Sequence, residues 1–408
     1  MKCRHCGTEL TQTFIDLGSA PPSNSYLTET SMKEPEKWYP LKVKVCDSCW
    51  LVQTEDFVGA GEMFSEDYAY FSSFSSSWLE HAKEYVQAMV SRFGLTGQSM
   101  VVEIAANDGY LLQYVKEKGI PCYGVEPTHS TAEAAREKGL DIVEEFFGVQ
   151  QATILVNSGR QADLVAANNV LAHVPDINDF VKGFSILLKP DGVATFEFPH
   201  LLNLVEKNQF DTIYHEHYSY LSLTAVKSIF EANGLSVFDV DELSTHGGSL
   251  RVYAQPGASG KHPVSDRVSE LQNCENLRGV SDLAFYRGFQ EKAEQIKTDF
   301  LSFLISAKNN GKQVVAYGAA AKGNTLMNFS GIRPDLISFV VDKNPAKQGK
   351  YMPGSRIPIV EENRLQQEKP DYVVVLPWNL TKEIKQQLEY IRNWNACYVT
   401  VVPYLEII

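Results

Sequence analysis

The strongest constraint on the fold is a regular alternation of strands and helices between residues 100 and 256. Short apolar runs rich in β-branched and aromatic residues predict strands, and the segments between them predict helices. The predicted strands are 100–105, 122–127, 163–167 and 192–198, and the predicted helices are 110–118 and 131–138. This alternation predicts an α/β fold with a doubly wound parallel sheet. Two more strands, 235–240 and 249–254, have no helical segment between them and predict an antiparallel hairpin at one edge.

The turn after the first strand is a predicted cofactor site, because ligands bind at the carboxyl ends of parallel strands. Here the strand runs into Ala105-Ala106-Asn107-Asp108-Gly109, where the glycine would let a ligand approach the backbone. Glu126 ends the next strand, at the distance where an acid commonly binds two ribose hydroxyls. A nicotinamide cofactor would need Gly-x-Gly-x-x-Gly, which this turn lacks. The pattern therefore favours S-adenosylmethionine over a nicotinamide cofactor.

Four of the seven cysteines form two Cys-x-x-Cys pairs, Cys3 with Cys6 and Cys46 with Cys49. Two such pairs complete a tetrahedral zinc site, and four unrelated thiols are the alternative. Because no ligand position is left open, the predicted zinc is structural, and its loss is expected to have little direct effect on chemistry. The sequence thus predicts a small zinc-binding domain at residues 1–65.

Residues 266–408 hold a second predicted α/β unit. Its predicted elements are a long helix over 283–308 and strands at 313–317, 337–342 and 371–376. The small residues of 318–325 open a helix and, with Lys322, would suit a phosphate group. A nucleotide-binding type of fold used only for packing is the alternative. The central domain is then expected to span residues 66–265.

Residues 214–220 concentrate two imidazoles, one carboxylate and three phenols in the segment Tyr-His-Glu-His-Tyr-Ser-Tyr. Such groups are costly to desolvate without partners. Histidine transfers protons near neutral pH, glutamate can orient it, and tyrosine can donate to a developing oxyanion. Proton transfer is the favoured interpretation of this segment. A His-x-His metal site and a purely structural network are the alternatives.

Charge and hydropathy restrict the partners. The formal net charge of −13 argues against general binding to nucleic acid or to anionic membranes. No apolar run reaches the length of a membrane span, and the first residues lead into no signal-peptide core. We expect a monomeric protein in the cytoplasm, where thiols stay reduced.

Taken together, these motifs resemble the three-domain sugar C-methyltransferases that act on nucleotide-linked 4-keto-6-deoxy sugars. The resemblance covers nearly the whole chain. It includes the paired cysteines and the segments 68–73, 103–109, 168–173, 214–219, 246–251, 317–323 and 342–345. One departure is Ala105, which stands where relatives usually place a glycine.

The resemblance implies a zinc-binding N-terminal domain, a central class I methyltransferase sheet that binds S-adenosylmethionine, and a C-terminal Rossmann-like domain that helps to hold the sugar nucleotide. It implies that His217 removes the C3 proton and that a tyrosine hydroxyl hydrogen-bonds the oxygen at C4. The resulting carbanion would then take the methyl group. The expected substrate is a nucleotide-diphosphate sugar, dTDP-linked. The alternatives are an NAD-linked epimerase or dehydrogenase of sugar nucleotides, a non-catalytic zinc-ribbon adaptor, and methylation at C5 instead of C3.

The site residues that this interpretation assigns fall into four groups. The catalytic group is His217, Glu216, Tyr214 and Tyr68, and the metal ligands are Cys3, Cys6, Cys46 and Cys49. The cofactor-binding group is Glu103, Asn107, Gly109, Glu126 and Asn169. The substrate-binding group is Tyr70, His246, Arg251, Lys322, Asn324 and Asp342, with Lys322 on the diphosphate. For Arg251, an ion pair at the edge of the core is the alternative.

Overall fold

A computed structural model describes residues 1–55 and 71–408 of the chain. The predicted site residues Tyr68 and Tyr70 and the predicted domain boundary at 65 lie outside the described residues. Within the described part, no helix combines the length and the apolar character needed to span a membrane.

The described elements alternate along the chain. The strands are β1 (Gln12–Ala20), β2 (Tyr39–Val45), β3 (Val52–Thr54), β4 (Val101–Ile104), β5 (Cys122–Val125), β6 (Ile142–Val143), β7 (Ala162–Asn168), β8 (Leu188–Pro199), β9 (Ser219–Tyr220), β10 (Leu235–Leu243), β11 (Ser249–Pro256), β12 (Val314–Tyr317), β13 (Val340–Val341), β14 (Ile359–Val360), β15 (Tyr372–Val375), β16 (Cys397–Thr400) and β17 (Glu406–Ile407). The α-helices are α1 (Ser76–Phe93), α2 (Leu112–Glu117), α3 (His129–Glu137), α4 (Val149–Asn157), α5 (Ile177–Leu187), α6 (Leu201–Glu206), α7 (Leu223–Ala232), α8 (Asp266–Arg278), α9 (Leu283–Tyr286), α10 (Phe289–Asn309), α11 (Ala321–Ser330), α12 (Asn363–Glu368) and α13 (Thr381–Gln387). Short 3-10 helices lie at Ser31–Lys33, Ser72–Phe74, Leu171–His173, Phe210–Thr212, Thr245–Gly247, Trp378–Leu380 and Glu389–Trp394.

The central sheet has seven strands in the order β10-β11-β8-β7-β4-β5-β6. Strands β4 to β8 are mutually parallel, and the β10–β11 hairpin is antiparallel at one edge. In β7, the run Leu164 to Ala167 is almost fully buried, as expected for a parallel strand covered by helices on both faces. The predicted doubly wound sheet with its terminal hairpin is confirmed.

The C-terminal sheet has six strands in the order β14-β13-β12-β15-β16-β17, and only β17 is antiparallel to its neighbour. The helix predicted over 283–308 is divided into α9 and α10, because Gly288 adopts a left-handed conformation with φ of 77°. The strand predicted at 337–342 is reduced to two residues of β13. The predicted Rossmann-like α/β unit is otherwise confirmed.

The N-terminal sheet is antiparallel in the order β1-β2-β3-β9, and its fourth strand comes from the middle of the chain. In that pairing Val52 lies opposite Tyr220 and Gln53 lies opposite Ser219. The segment that contains His217 therefore leads directly into the N-terminal sheet. This places the histidine-rich segment at a junction of two units.

Helix α8, which the sequence analysis placed in the C-terminal unit, packs on the core of the central sheet through Val268 and Leu271. Its Glu275 is fully buried and accepts hydrogen bonds from the backbone N–H groups of Leu223 (2.7 Å) and Thr224 (2.8 Å). A buried carboxylate needs such donors, and within the described residues the central unit supplies them. The helix is thereby fastened to α7.

Candidate active site

A cavity of about 640 Å³ lies where the three units meet. The ends of β4, β5 and β7 supply one wall, as expected for ligand binding in a parallel sheet. The segment 212–217 supplies a second wall. Asn24 of the N-terminal unit and residues 320–322, 377, 379 and 380 of the C-terminal unit complete the enclosure.

The turn after β4 joins the cavity wall to the next strand. Ala105 and Asn107 both line the cavity and both adopt left-handed conformations, with φ of 58° and 49°. The Asn107 N–H donates to Oε2 of Glu126 at 2.9 Å, and Oδ1 of Asn107 accepts from the N–H of Ser72 at 2.9 Å. The tight turn thus aligns the predicted ribose acceptor.

Glu126 lines the cavity, although only 5% of its surface is exposed. Its Oε1 accepts from the N–H of Thr128 at 3.0 Å. Burial raises the pKa of Glu126, and the hydrogen bonds from Thr128 and Asn107 oppose that rise. Each carboxylate oxygen can accept a second hydrogen bond, so the pair suits two hydroxyls of a ribose.

Asn168 and Asn169 end β7 and line the cavity beside this turn. The amide oxygen and nitrogen of Asn169 are buried without a hydrogen-bond partner in the described part of the chain, whereas the Asn168 side chain contacts the Tyr110 hydroxyl. Unpaired buried amides are costly, and a polar ligand in the cavity would complete them. The donors and acceptors here fit S-adenosylmethionine, whose sugar and amino-acid groups need both kinds of partner.

Two predicted cofactor residues lie behind the wall. Gly109 has φ of 75°, and a Cβ at this position would lie 2.3 Å from Cδ1 of Leu140, so packing on the segment after α3 requires this glycine. Glu103 in β4 is fully buried, and burial raises the pKa of its carboxyl well above its usual range. Neither Gly109 nor Glu103 lines the cavity.

His217 lies on the cavity wall with its ring fixed. Its Nδ1–H donates to the carbonyl oxygen of Thr212 at 2.8 Å, so Nε2 carries the lone pair. The ring packs against Tyr214, with 3.9 Å between ring centroids, and against His173 at 4.7 Å. Burial lowers the pKa of His217 well below its usual value, and the positive charge that His173 and Lys322 can carry acts in the same direction. The imidazole is therefore neutral at pH 7.

The segment around His217 is a turn, in which the His217 N–H donates to the Tyr214 carbonyl at 2.9 Å. This turn directs Tyr214, Glu216 and His217 into the cavity. His215 lies on the other side, where its Nε2 contacts the backbone oxygens of Tyr39 and Pro40 at 3.3 and 3.2 Å. The two histidines thus separate, and the described residues contain no metal-binding cluster at this segment.

Two residues that the sequence analysis did not assign stand next to Glu216. Asn24 donates its Nδ2–H to Oε1 of Glu216 at 2.7 Å. His173 lines the cavity, and burial lowers its pKa to about 4, opposed by a hydrogen bond to the backbone of Glu216. The position of His173 just after β7 was a usable signal, because ligand-binding residues cluster at strand ends. No sequence signal marked Asn24.

Lys322 and His246 both line the cavity, as predicted substrate residues should. The Lys322 ammonium donates to Oδ1 of Asn379 at 3.0 Å and lies 4.5 Å from the Trp378 ring centroid. Burial lowers the pKa of Lys322 to about 8, opposed by the charge of Asp211. Burial also lowers the pKa of His246 to about 4.

Three other predicted substrate residues do not line the cavity. Arg251 forms a buried ion pair with Glu197 at 2.7 Å, which is the alternative that the sequence left open. Asn324 donates its Nδ2–H to the Ser23 carbonyl at 2.5 Å. The Asp342 carboxylate accepts from the N–H groups of Ala319 (2.7 Å) and Asn344 (2.8 Å). Each of the three thus makes contacts with the protein itself, and these contacts hold the surrounding loops.

A second site lies at the N-terminal end of the molecule, where one sulfur from each of Cys3, Cys6, Cys46 and Cys49 lies within 4.8 Å of the others. Four thiolates at this separation match the donor set of a closed, tetrahedral zinc site. The Gln53 side chain donates to the Cys3 sulfur at 3.2 Å. These cysteines form the zinc site of the protein.

Three family models match the chain in succession. The model described as "Putative zinc binding domain" matches residues 3–64, "Methyltransferase domain" matches 78–240, and "C-methyltransferase C-terminal domain" matches 244–403. The cavity lies between residues that belong to all three matched segments.

The chain is also similar to individual proteins. It is 34% identical over 401 residues to C-methyltransferase NovU of Streptomyces niveus, covering 98% of this chain and 95% of that protein. A ubiquinone biosynthesis O-methyltransferase of Histophilus somni (strain 2336) is 31% identical over 123 residues, which are 28% of this chain and 49% of that protein.

Among solved structures, magnesium protoporphyrin IX methyltransferase (ChlM) of Synechocystis PCC 6803 with bound SAM is 17% identical with a TM-score of 0.33, covering 43% of this chain and 78% of that chain. The PH0226 protein of Pyrococcus horikoshii OT3 is 13% identical with a TM-score of 0.37, and the match covers 46% of this chain and 95% of that chain. At such scores the likeness says nothing about substrate. The full-length similarity to NovU and the three matched segments show that the chain belongs to the family of zinc-binding, S-adenosylmethionine-dependent C-methyltransferases.

Proposed function

We propose that this enzyme methylates C3 of a nucleotide-linked 4-keto-6-deoxy sugar, with His217 as the general base. The observation that carries the proposal is the setting of His217, which lines the cavity and is held by Thr212 at Nδ1 so that Nε2 is available, while burial keeps its pKa well below the usual value. Methylation at carbon needs a carbanion-like nucleophile, so the enzyme must first remove a C–H proton. A hydrogen next to a ketone is acidic enough if the enolate oxygen is stabilised.

The residues divide the reaction among them. Nε2 of His217 accepts the proton from C3, and the C–H electron pair becomes the enolate. Tyr214, packed against His217, donates a hydrogen bond from its hydroxyl to the enolate oxygen at C4 and keeps its proton. S-adenosylmethionine, when bound, supplies an electrophilic methyl group, and Glu126 with Asn107 holds its ribose. The Glu216 carboxylate accepts from a sugar hydroxyl and so fixes the face of the sugar.

The nucleotide diphosphate is assigned to the C-terminal side of the cavity. Lys322 lies there beside the first turn of α11, and Lys347 lines the same side with its ammonium 2.8 Å from the Ala319 carbonyl. Two ammonium groups and the N-terminus of a ten-residue helix suit a diphosphate. We propose a dTDP-linked sugar, with the diphosphate on Lys322.

The test uses a panel of 4-keto nucleotide sugars with methyl-labelled S-adenosylmethionine and product identification by mass spectrometry and NMR. We expect one labelled methyl group at C3. A second experiment omits the cofactor and follows hydrogen exchange with deuterated water at each sugar carbon. Exchange at C3 alone supports the proposal, whereas exchange or methylation at C5 would overturn the C3 assignment. Labelling on oxygen would overturn the enolate mechanism.

A further inference from the structure

We infer that Asn24, supplied by the N-terminal zinc-binding unit, is a positioning residue that fixes the catalytic carboxylate of Glu216. The inference deepens the proposed function, since it rests on Glu216 facing the substrate. It gives the N-terminal unit a role in the reaction beyond its metal.

The contact is short and its direction is fixed by chemistry. Nδ2 of Asn24 lies 2.7 Å from Oε1 of Glu216, and both side chains line the cavity. An ionised carboxylate only accepts hydrogen bonds, so the amide must present its N–H group. Hydrogen bonds to a charged group are stronger than neutral ones. Asn24 thus holds one carboxylate oxygen of Glu216.

The loop that carries Asn24 is held from both sides. On one side Asn324 of α11 donates to the carbonyl of Ser23. On the other, the Tyr26 hydroxyl donates to the Ala319 carbonyl at 2.6 Å. Asn324 therefore acts on the cavity indirectly, through the residue next to Asn24. Because Ser23 and Tyr26 on either side of Asn24 are both held in place, the Asn24 side chain loses little conformational freedom when it hydrogen-bonds to Glu216.

Replacing Asn24 with aspartate distinguishes a positioning role from a purely structural one, because it makes the contact with Glu216 depend on pH. The variant Asn24→Asp keeps the shape but places a second carboxyl about 2.7 Å from Glu216. Two such carboxylates cannot both ionise readily, so the pair retains one proton as the pH rises. While that proton is present, the new carboxyl donates to Glu216 as the amide did. Once it is lost, the two groups repel each other.

The environment of Glu216 includes other titratable groups. Tyr26 interacts electrostatically with Glu216, Lys347 lines the same cavity, and His173 hydrogen-bonds to the backbone of Glu216. His217 follows it in the chain. The wild-type profile contains their contributions too, so the comparison is between variant and wild type under identical conditions.

The experiment measures kcat and KM between pH 5 and pH 9 for wild type, Asn24→Ala, Asn24→Asp and the control Ser25→Ala. Ser25 is exposed in the same loop, and its variant should match wild type. Asn24→Ala should lower kcat/KM at every pH by roughly tenfold to a hundredfold, as for one hydrogen bond to a charge. Asn24→Asp should approach wild type at acidic pH and lose activity as the pH rises through neutrality. Zinc content and cofactor affinity should be unchanged.

Infrared difference spectroscopy adds a readout that does not depend on turnover. At neutral pH, Asn24→Asp should show a protonated carboxyl band that is missing from wild type and from the double variant Asn24→Asp with Glu216→Gln. If the wild-type enzyme acted on none of the 4-keto sugars, the proposed function would be overturned. The infrared band of Asn24→Asp would then still test the inference about Asn24. Wild-type kinetics for Asn24→Ala, or no such band in Asn24→Asp, would overturn the inference.

Discussion

At the scale of single residues, the cavity is notable for imidazoles that stay neutral. Burial lowers the pKa of His217 well below its usual value and lowers those of His173 and His246 to about 4. A buried imidazolium without a counter-charge is unfavourable, so desolvation selects the neutral ring. For His217 this means that the base is ready at neutral pH and needs no prior deprotonation.

His217→Asn should therefore lower kcat by about a hundredfold to ten-thousandfold, because the amide cannot accept the proton. Cofactor binding, measured by calorimetry, should be unchanged.

The pH dependence of the wild-type enzyme gives a further prediction. Because burial lowers the pKa of His217, the proposed base, the acidic limb of the wild-type kcat/KM profile should lie below pH 6.5. On the alkaline side, KM for the nucleotide sugar should rise above about pH 8 as Lys322 loses its proton.

The matched control is His215→Asn, the same change on the ring that contacts Tyr39 and Pro40 outside the cavity. It should keep near wild-type turnover. If His215→Asn removed activity while His217→Asn retained it, the base would be misassigned.

Ala105 is the second feature at this scale, because a non-glycine residue with φ of 58° is unfavourable. The left-handed conformation costs an L-residue roughly 1–2 kcal/mol, whereas glycine adopts it freely but loses about 0.5–1 kcal/mol more entropy on folding. Ala105→Gly should therefore leave the free energy of unfolding unchanged or raise it by up to about 1 kcal/mol. Denaturant titration checks this value.

The neighbouring Ala106→Gly is the control for that experiment. Ala106 is fully buried and does not adopt the left-handed conformation. The variant Ala106→Gly therefore relieves no backbone strain and loses the packing contacts of the methyl group. We expect it to be destabilised by about 1 kcal/mol. Equal destabilisation of both variants would show that the backbone of Ala105 is not strained.

At the scale of elements, the cofactor turn is fixed from behind by the segment after α3. A Cβ on Gly109 would meet Leu140 at 2.3 Å and Ala135 at 3.2 Å. The same position has φ of 75°, so both shape and backbone demand glycine. The turn that presents Asn107 to Glu126 thus depends on a contact outside the cavity.

Gly109→Ala should lower the free energy of unfolding by about 2–5 kcal/mol, from overpacking plus left-handed strain. Gly119→Ala is the control, because Gly119 has φ of 69° but open space around its Cα. The free energy of unfolding of Gly119→Ala should fall by only about 1–2 kcal/mol. The difference between the two variants measures the packing contribution, and Leu140→Val should recover part of it in Gly109→Ala. Equal losses in the two glycine variants would contradict the packing explanation.

At the scale of the whole molecule, the segment that carries the proposed base His217 is held by all three units. Thr54 of β3 donates its hydroxyl to the His217 carbonyl at 3.2 Å, and Thr325 of α11 donates to the Ile213 carbonyl at 2.8 Å. The preceding residue in β3, Gln53, contacts the zinc ligand Cys3. A short chain of contacts thus connects the metal site with the backbone of His217, the proposed base.

Zinc loss should therefore reach the active site, contrary to the expectation of little direct effect. Cys46→Ser should lose the metal, and amide hydrogen exchange should quicken at Ser219 and Tyr220, whose strand pairs with β3. Exchange within β4 should stay slow. We expect kcat to fall with this change while calorimetry still detects cofactor binding.

Cys397→Ser is the control, since Cys397 lies in β16, far along the chain from the metal ligands. It should keep one zinc per chain and wild-type exchange at β9. Unchanged exchange at β9 in zinc-free Cys46→Ser would show that the N-terminal sheet does not depend on the metal.

The sequence by itself determined the parts of this protein that local pattern controls. Alternating apolar runs fixed the central sheet because burial on both faces demands them. The spacing of Cys3, Cys6, Cys46 and Cys49 indicated the metal site, since four thiolates in two close pairs have few other uses. The segment with His217 was recognisable because so many polar groups rarely share a buried stretch.

Only the tertiary structure decided which polar groups remain available to ligands. Arg251, Asn324 and Asp342 look like binding residues in the sequence, but each lies outside the cavity lining and contacts a protein partner. Asn24 reaches Glu216 across 192 positions of sequence, and no local pattern announces that contact. Whether a donor or acceptor serves the fold or the substrate depends on its neighbours in space, and folding alone brings those neighbours together.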